Sequence, residues 1–244
     1  MILTPAGASL LETFEQIRII NLASRADRRS SVTTELARLG LRVDGQRVAF
    51  HIAQAPETLG GFPTKGAHGC FLSHLEALKE AAAASVQSLL ILEDDIGFVN
   101  DVEHRMVCEL GQLKSTNWGM FYGGHSGTDR EASSGLLSLS PKASLLTSHF
   151  VGFNGDVIRN VGEYLAAMLV RRPGDEQGGP MHVDGAYNWY RAQNPQCITM
   201  VAQPSLANQL SSRSDVQPLR IWDRARGLRF FASLARGIRR TRRL

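Results

Sequence analysis

Short apolar runs alternate with longer amphipathic stretches along most of the chain, which predicts strands and helices in turn. Apolar runs typical of buried strands lie at residues 16–22, 47–53, 88–92, 118–122, 144–153 and 198–202. One helical pattern runs to Leu39 and stops at Gly40. Others cover residues 68–84, 102–113, 154–170 and a short aromatic segment after 185. Gly-rich stretches predict loops at 60–66 and 172–180 and a turn at 123–127. This order predicts an α/β fold with a mainly parallel central sheet flanked by helices.

The composition is that of a folded globular chain. Its 244 residues are 43% apolar and 20% charged, which excludes a disordered chain, a fibrous repeat and a disulfide-dense secreted scaffold. No apolar run approaches the roughly 20 residues of a membrane span, and the first 16 residues lack the basic start of a signal peptide. Three widely spaced cysteines, Cys70, Cys108 and Cys197, are predicted to be reduced core thiols of a cytoplasmic protein.

The positive charge is concentrated at the end of the chain. The net charge is +4, yet residues 220–244 hold nine arginines and one acidic residue, so the remainder has 18 basic against 22 acidic residues. That remainder is not an obvious nucleic-acid surface. We therefore predict a domain over 1–218 and a basic amphipathic tail over 219–244 that binds an anionic membrane surface. A helix packed on the domain, or a disordered basic end, are the alternatives for this tail.

The sharpest chemical feature is the acidic cluster Glu93, Asp94 and Asp95, directly after an apolar strand. Adjacent carboxylates repel one another, and a divalent cation such as Mg²⁺ or Mn²⁺ would relieve that repulsion. Ligands of open α/β sheets bind beyond the carboxyl ends of strands, and a cation there characteristically clamps a diphosphate. An acidic turn in solvent is the alternative.

A basic group follows the first predicted strand. Asn21 ends the strand, and Arg25, Arg28 and Arg29 come within the next eight residues. These side chains could hold the phosphates or ribose of a nucleotide, or form a solvated first turn of a helix. The chain has no phosphate-loop motif, which argues against hydrolysis of ATP or GTP.

Two further candidates are ambiguous from the sequence alone. Ser73 and His74 are neighbours on a predicted helix, so they point in different directions and make a poor nucleophile–base pair. His74 is better suited to organising the core or touching a ligand. Asp184 stands between a loop and a helix, where it could cap the helix or act as a general base.

Taken in order, these pieces resemble glycosyltransferase family 25, which contains bacterial lipopolysaccharide and lipooligosaccharide glycosyltransferases and galactosyltransferases acting on collagen. The resemblance spans about residues 16–215. It is carried by Ile20-Asn21-Leu22 with Arg25-x-Asp27-Arg28, Gly69-Cys70-x-Leu72-Ser73-His74, Leu92-Glu93-Asp94-Asp95, Val183-Asp184, and Pro204-x-Leu206 with Gln209 and Ser212.

The resemblance implies a GT-A-type nucleotide-binding domain that moves a hexose, often galactose, from a UDP-sugar to a cell-surface glycan or lipid-linked acceptor with inversion. Glu93, Asp94 and Asp95 would hold Mn²⁺ or Mg²⁺, with the choice of two among the three left open. The nucleotide-sugar donor would be bound by five residues of these motifs: Asn21, Arg25, Arg28, Ser73 and His74. Asp184 would bind the acceptor or act as the base. The protein would work in the cytoplasm, or on the inner face of the membrane. An inactive nucleotide-sugar-binding relative and a metal-dependent phosphoesterase are the alternatives.

Overall fold

The computed structural model describes residues 2–126 and 134–210 and has a seven-stranded sheet at its centre. The predicted tail over 219–244 and the domain boundary at 218 lie outside these residues, and both stay predictions. In chain order the elements are α1 (Pro5–Thr13), β1 (Gln16–Asn21), α2 (Ala26–Arg38), β2 (Val48–Ile52), α3 (Lys65–Ala83), β3 (Ser88–Glu93), β4 (Ile96–Phe98), α4 (Val102–Lys114), β5 (Met120–Ser126), β6 (Gly135–Leu139), β7 (Leu146–Asn154), α5 (Val157–Leu169), α6 (Val183–Gln193), β8 (Thr199–Gln203) and β9 (Ala207–Gln209).

The main sheet has the strand order β2-β1-β3-β7-β5-β8-β6 in the described part of the chain. Strands β2, β1, β3, β5 and β8 run in one direction, and β7 and β6 run in the other. Strands β4 and β9 form a separate antiparallel pair. The predicted α/β fold with a mainly parallel sheet and flanking helices is confirmed.

The helices cover both faces of the sheet, so most strands are buried on two sides. Leu90 and Leu92 of β3 pack in a cluster that includes side chains of α1, α2 and α4. Leu89 and Ile91 of the same strand pack in a second cluster with side chains of α3, α5 and α6. The continuous apolar run of β3 follows from this, because successive side chains enter different cores.

One predicted turn is wrong over most of its length. Residues 123–126 continue strand β5, and only residue 127 of the predicted turn lies outside the described chain. The two glycines serve packing here: a Cβ on Gly123 would lie 2.8 Å from the ring of Phe150, and one on Gly124 would lie 2.3 Å from Nε2 of His149. The glycines let these two rings of the neighbouring strand lie against the backbone of β5.

Several other features were not predicted. Helix α1 begins with Thr4, whose hydroxyl accepts a hydrogen bond from the N–H of Gly7, followed by Pro5 at its first position. The prediction that all three cysteines are core thiols is wrong for Cys108, which is exposed on α4. No helix among residues 2–126 and 134–210 has the length and apolar character needed to cross a bilayer.

A buried arginine holds the sheet, α6 and the connection into β7 together. Arg191 is completely buried and donates hydrogen bonds to Thr199, Asn188 and the carbonyls of Ser140 and Ala143. Arg191→Leu should lower the free energy of unfolding by about 3–5 kcal/mol, since it strands buried acceptors without donors. Arg159→Leu, at an exposed ion pair on α5, should cost less than about 0.5 kcal/mol. Urea unfolding of both variants measures this, and equal losses would contradict the assigned role.

Candidate functional site

The strand order reverses at the boundary between β1 and β3, and the predicted acidic and basic groups meet there. From β1 the chain passes through α2 to β2 on one side, and α3 then returns it to β3 on the other side of β1. Because β1 and β3 are parallel, their carboxyl ends lie at the same edge, with Ile20 paired with Glu93. Such a reversal opens a crevice in which α/β proteins bind ligands.

Asp94 joins the end of β3 to the start of α2. One of its carboxylate oxygens accepts a hydrogen bond from Asn21 Nδ2 at 2.7 Å, and the other accepts one from Arg28 Nη1 at 2.8 Å. Arg29 Nε in turn donates to Asn21 Oδ1 at 3.1 Å, which orients the amide. Both oxygens of this nearly buried carboxylate are therefore engaged by the protein itself.

Asp95 is the member of the cluster whose charge is least compensated. Its Oδ1 is buried and has no hydrogen-bond partner within the described residues, and its Oδ2 lies 3.6 Å from Arg28 Nη1. Burial, followed by the negative charge of Glu93, raises the pKa of Asp95 to about 7, although Arg28 opposes that rise. Arg28 thus compensates the charge of an ionised Asp95 only in part.

Glu93 is held from three directions. Its Oε1 accepts a hydrogen bond from Ser148 Oγ at 2.9 Å and lies 3.5 Å from His74 Nε2, while Oε2 lies 3.5 Å from Gln209 Nε2. Burial raises the pKa of Glu93, but its interactions with His74, His149 and Ser148 outweigh burial and lower the pKa overall. Glu93 is thus kept as a carboxylate beside Asp95.

This arrangement distinguishes the three carboxylates that the sequence left equivalent. Asp94 already accepts two strong hydrogen bonds, whereas Asp95 keeps an unpartnered oxygen and Glu93 has one oxygen with only a long contact. Hard cations such as Mn²⁺ and Mg²⁺ prefer carboxylate oxygens. Glu93 and Asp95 therefore have oxygens that the protein engages least, and they could hold such a cation.

Asp184 lies in the first turn of α6, not at its cap, which is His182. Its Oδ2 accepts a hydrogen bond from the N–H of Thr147 at 3.0 Å, and its Oδ1 accepts one from the N–H of Gly185 at 2.7 Å. Burial and then the charges of Glu93, Asp184, Asp95 and Asp94 raise the pKa of the Cys70 thiol. The Asp184 carboxylate and the acidic cluster are therefore both close enough to Cys70 to affect its pKa.

A three-residue segment at the start of β7 connects Asp184 to the acidic cluster, and the sequence analysis missed it. Thr147 binds Asp184, Ser148 binds Glu93, and His149 Nε2 donates to the carbonyl of Ala207 at 3.1 Å. The Thr147 hydroxyl also donates to His149 Nδ1 at 3.1 Å. Thr147 has φ +69, which is strained for a β-branched residue and is typical of functional sites.

The other predicted donor-binding residues lie in two different environments. Ser73 is buried, donates to the carbonyl of Gly69 and accepts from the N–H of Gln54, so it fastens α3 to the chain after β2. His74 is buried between Glu93 and the Tyr187 hydroxyl, which lies 2.9 Å from Nδ1. These two side chains support the site from within.

The predicted arginines line the start of α2. Arg25 donates two hydrogen bonds to Asp27, an exposed carboxylate whose pKa this contact lowers to about 2. Arg28 reaches the acidic cluster, as described above for Asp94 and Asp95. Both guanidinium groups therefore lie at the start of α2, and each is paired with a carboxylate.

Comparisons with known proteins agree with the resemblance predicted from the sequence. Residues 14–121 match the family model "Glycosyltransferase family 25 (LPS biosynthesis protein)", which confirms that resemblance. The chain is 25% identical over 241 residues to mouse inactive glycosyltransferase 25 family member 3, covering 84% of this chain and 38% of that protein. It is 30% identical over 127 residues to zebrafish procollagen galactosyltransferase 1, covering 45% of this chain and 21% of that protein.

The chain therefore spans less than half the length of these curated relatives. Among solved structures, a glycosyltransferase involved in the glycosylation of the major capsid of PBCV-1 aligns with a TM-score of 0.49 at 12% identity. That alignment covers 81% of this chain and 95% of the other.

Proposed function

We propose that this relative of glycosyltransferase family 25 transfers a hexose, galactose or a close analogue, from a UDP-sugar to a hydroxyl of a glycan or lipid-linked acceptor. The transfer is metal-assisted and inverts the anomeric centre. One observation carries the proposal: the buried, unpartnered oxygen of Asp95 lies beside the Glu93 carboxylate at the reversal of strand order. A carboxylate in this position supports the binding of a cation and of the diphosphate that accompanies it.

Glu93 and Asp95 would hold Mn²⁺ or Mg²⁺, and Asp94 would keep the cluster fixed to β1 and α2. The bound cation supplies positive charge that stabilises a diphosphate leaving group. Arg28 and Arg25 add fixed positive charge at the start of α2 and orient the nucleotide. Asn21, which is buried against Asp94, sets the position of that carboxylate.

Asp184 is the proposed base. As the acceptor oxygen forms its bond to the anomeric carbon, the bond from that carbon to the diphosphate oxygen breaks and its electron pair leaves with UDP. The proton of the acceptor hydroxyl passes to an oxygen of Asp184. The amides of Thr147 and Gly185 hold this carboxylate in one orientation, while each oxygen keeps capacity for a further hydrogen bond.

The relatives' names support the substrate classes in this proposal. The zebrafish relative is named a procollagen galactosyltransferase, which favours galactose, and the family model refers to lipopolysaccharide biosynthesis, which favours a lipid-linked glycan acceptor.

A second candidate is a protein that binds a nucleotide sugar without transferring it. The mouse relative aligned over 241 residues is named inactive, as is a human one. Donor binding without hydrolysis or transfer would establish this second function, and hydrolysis of simple phosphate esters would instead identify a phosphoesterase.

A thermal-shift panel of nucleotide sugars tests donor binding directly. A UDP-hexose at about 100 times its dissociation constant should stabilise the fold by about 2.7 kcal/mol, or ~5–10 °C in melting temperature. The shift should require Mn²⁺ or Mg²⁺ and vanish in EDTA, and GDP-mannose is the matched control. A panel in which no UDP-sugar shifts the melting temperature with either cation would overturn the proposal.

The membrane partner is proposed from the sequence of the tail alone. Each basic residue near an anionic surface contributes about 1 kcal/mol, so nine arginines over 220–244 suffice for reversible binding. The full chain should sediment with phosphatidylserine-containing liposomes at low salt, and a version ending at Gln217 should stay in solution. Equal sedimentation of both versions, or equal binding to neutral liposomes, would contradict an electrostatic anchor.

A further inference from the structure

A cysteine, a histidine and a glutamate converge behind the acidic cluster. Cys70 and His74 are four residues apart, on the same face of α3. Glu93 faces them from the end of β3, and the Sγ, imidazole nitrogen and carboxylate oxygen that they offer all lie within 4.8 Å of one another. This set differs from the pair Glu93 and Asp95, because it brings in a sulfur and a nitrogen.

The separations are close to those around a tetrahedral zinc ion. Bonds of about 2.0–2.3 Å place tetrahedral ligand atoms roughly 3.3–3.8 Å apart. His74 Nε2 and Glu93 Oε1 lie 3.5 Å apart, within that range. The sulfur of Cys70 lies within 4.8 Å of the other two ligand atoms, which is at most about 1 Å beyond that range.

His74 is oriented as a metal-bound histidine would be. Its side chain is fully buried, and Nε2 has no hydrogen-bond partner among the residues that the structure describes. Its other nitrogen, Nδ1, lies 2.9 Å from the Tyr187 hydroxyl. Metal-binding histidines usually engage an outer partner through the second nitrogen, and Ser148 provides a similar outer partner for Glu93.

We propose that Cys70, His74 and Glu93 form a zinc site, distinct in chemistry from the site for Mn²⁺ or Mg²⁺. Zinc accepts thiolate, imidazole and carboxylate together, whereas magnesium prefers oxygen ligands alone. Cys70 is only partly buried, and water would take the fourth position around the ion. On binding, the Cys70 thiol releases its proton to solvent and the sulfur forms the bond to zinc.

Glu93 belongs to both sites, so zinc and the transferase cation should compete. Zinc held by Cys70 and His74 withdraws a carboxylate from the pair that would hold Mn²⁺. The competition between the two metals rests on the proposed function, whereas zinc binding itself does not. The structure thus assigns to the site an inhibitory response to zinc.

Cobalt is the probe for the zinc site, because a cobalt–thiolate bond absorbs in the near ultraviolet and reports sulfur directly. The full chain, stripped of metal with a chelator, should develop this absorption at one equivalent of Co²⁺, and Zn²⁺ should abolish it. Cys70→Ser should lose the absorption and bind Zn²⁺ at least 10-fold more weakly, as should Cys70→Ala. The second variant guards against misfolding of the first, with circular dichroism as the check on both.

Cys108→Ser is the matched control, since Cys108 Sγ lies 3.8 Å from His104 Nε2 on α4 and is the other cysteine next to a histidine in the described chain. It should keep the absorption unchanged. Absence of the absorption in the unmodified chain, or its survival in folded Cys70→Ser and Cys70→Ala, would overturn the zinc site. The spectra need neither donor nor turnover, so failure here is distinguishable from failure of the transferase proposal.

Competition is measured by electron paramagnetic resonance of free Mn²⁺. Zn²⁺ should release bound Mn²⁺ from the unmodified chain, and at least 10-fold more Zn²⁺ should be needed with Cys70→Ser. An equal zinc requirement in the two proteins would overturn the sharing of Glu93.

Discussion

Asp95→Asn should reduce sugar transfer by about 10²–10³-fold while making the metal-free protein more stable above neutral pH. The loss of activity follows because the amide keeps the shape of the carboxylate but withdraws the charge that would hold the cation beside Glu93. Initial rates of UDP release in saturating Mn²⁺ measure this effect.

The gain in stability follows from the raised pKa of Asp95. The unfolded chain releases this proton near pH 4, but the folded chain keeps it until about pH 7. The folded state therefore binds more protons between these values, and the stability contributed by Asp95 is present below pH 4 and lost as the pH rises through 7. The asparagine never ionises, so the variant should melt higher at pH 8, by on the order of 5 °C, and show little gain at pH 4.

Asp156→Asn is the control for both effects. Asp156 is an exposed carboxylate that precedes α5, at the opposite edge of the sheet from the cluster. It should leave turnover and the pH dependence of melting unchanged. Wild-type turnover in Asp95→Asn with Mn²⁺ present would remove Asp95 from the cation site, and an unchanged melting temperature at pH 8 would contradict its uncompensated burial.

Asp184→Asn should lower kcat by about 10²-fold or more while leaving donor binding nearly unchanged. The amide oxygen can still accept the hydrogen bond from the N–H of Thr147, but the NH₂ group then faces the N–H of Gly185, so the variant should also lose some stability. The amide cannot take the acceptor's proton. Steady-state kinetics with separate variation of donor and acceptor distinguish the roles. A rise in acceptor KM alone would make Asp184 a binding residue.

Asp44→Asn is the matched control for the structural part of this effect. Asp44 also accepts two backbone hydrogen bonds, from Gln46 and Val48, both through Oδ1, but it precedes β2 and so lies at the end of the strands away from the acidic cluster. It should lose stability without losing turnover. If Asp184→Asn behaves in the same way as this control, Asp184 is a structural residue and the base is another group.

Much of the fold was predictable because buried strands leave continuous apolar runs that polar helix surfaces interrupt. The run at Ser88–Glu93 is an example, since its side chains alternate between two cores and none has to be polar. The glycine-rich segment at 123–127 was predicted wrongly over most of its length. Gly123 and Gly124 have the composition of a turn, but they lie in a strand because two rings of the next strand need the space.

The site was predictable only to the level of which segments meet. Parallel pairing of β1 with β3 brings Asn21 and Glu93 to one edge, and the topology alone implies that. Which of the three carboxylates is hydrogen-bonded within the protein was not predictable, because it depends on Asn21 and Arg28 donating to Asp94. Thr147 left no signal at all, since its contribution comes from its backbone conformation and its N–H.

Two consecutive residues of β7 couple the proposed base to the proposed cation site. Thr147 and Ser148 are consecutive, and one fixes Asp184 while the other fixes Glu93. Their Cα atoms are separated by one peptide unit of about 3.8 Å, a distance that covalent geometry keeps constant. Any displacement of this strand end carries both carboxylates along together. Motion of this strand end therefore shifts the proposed base and the proposed cation ligand in the same direction, which limits changes in their separation.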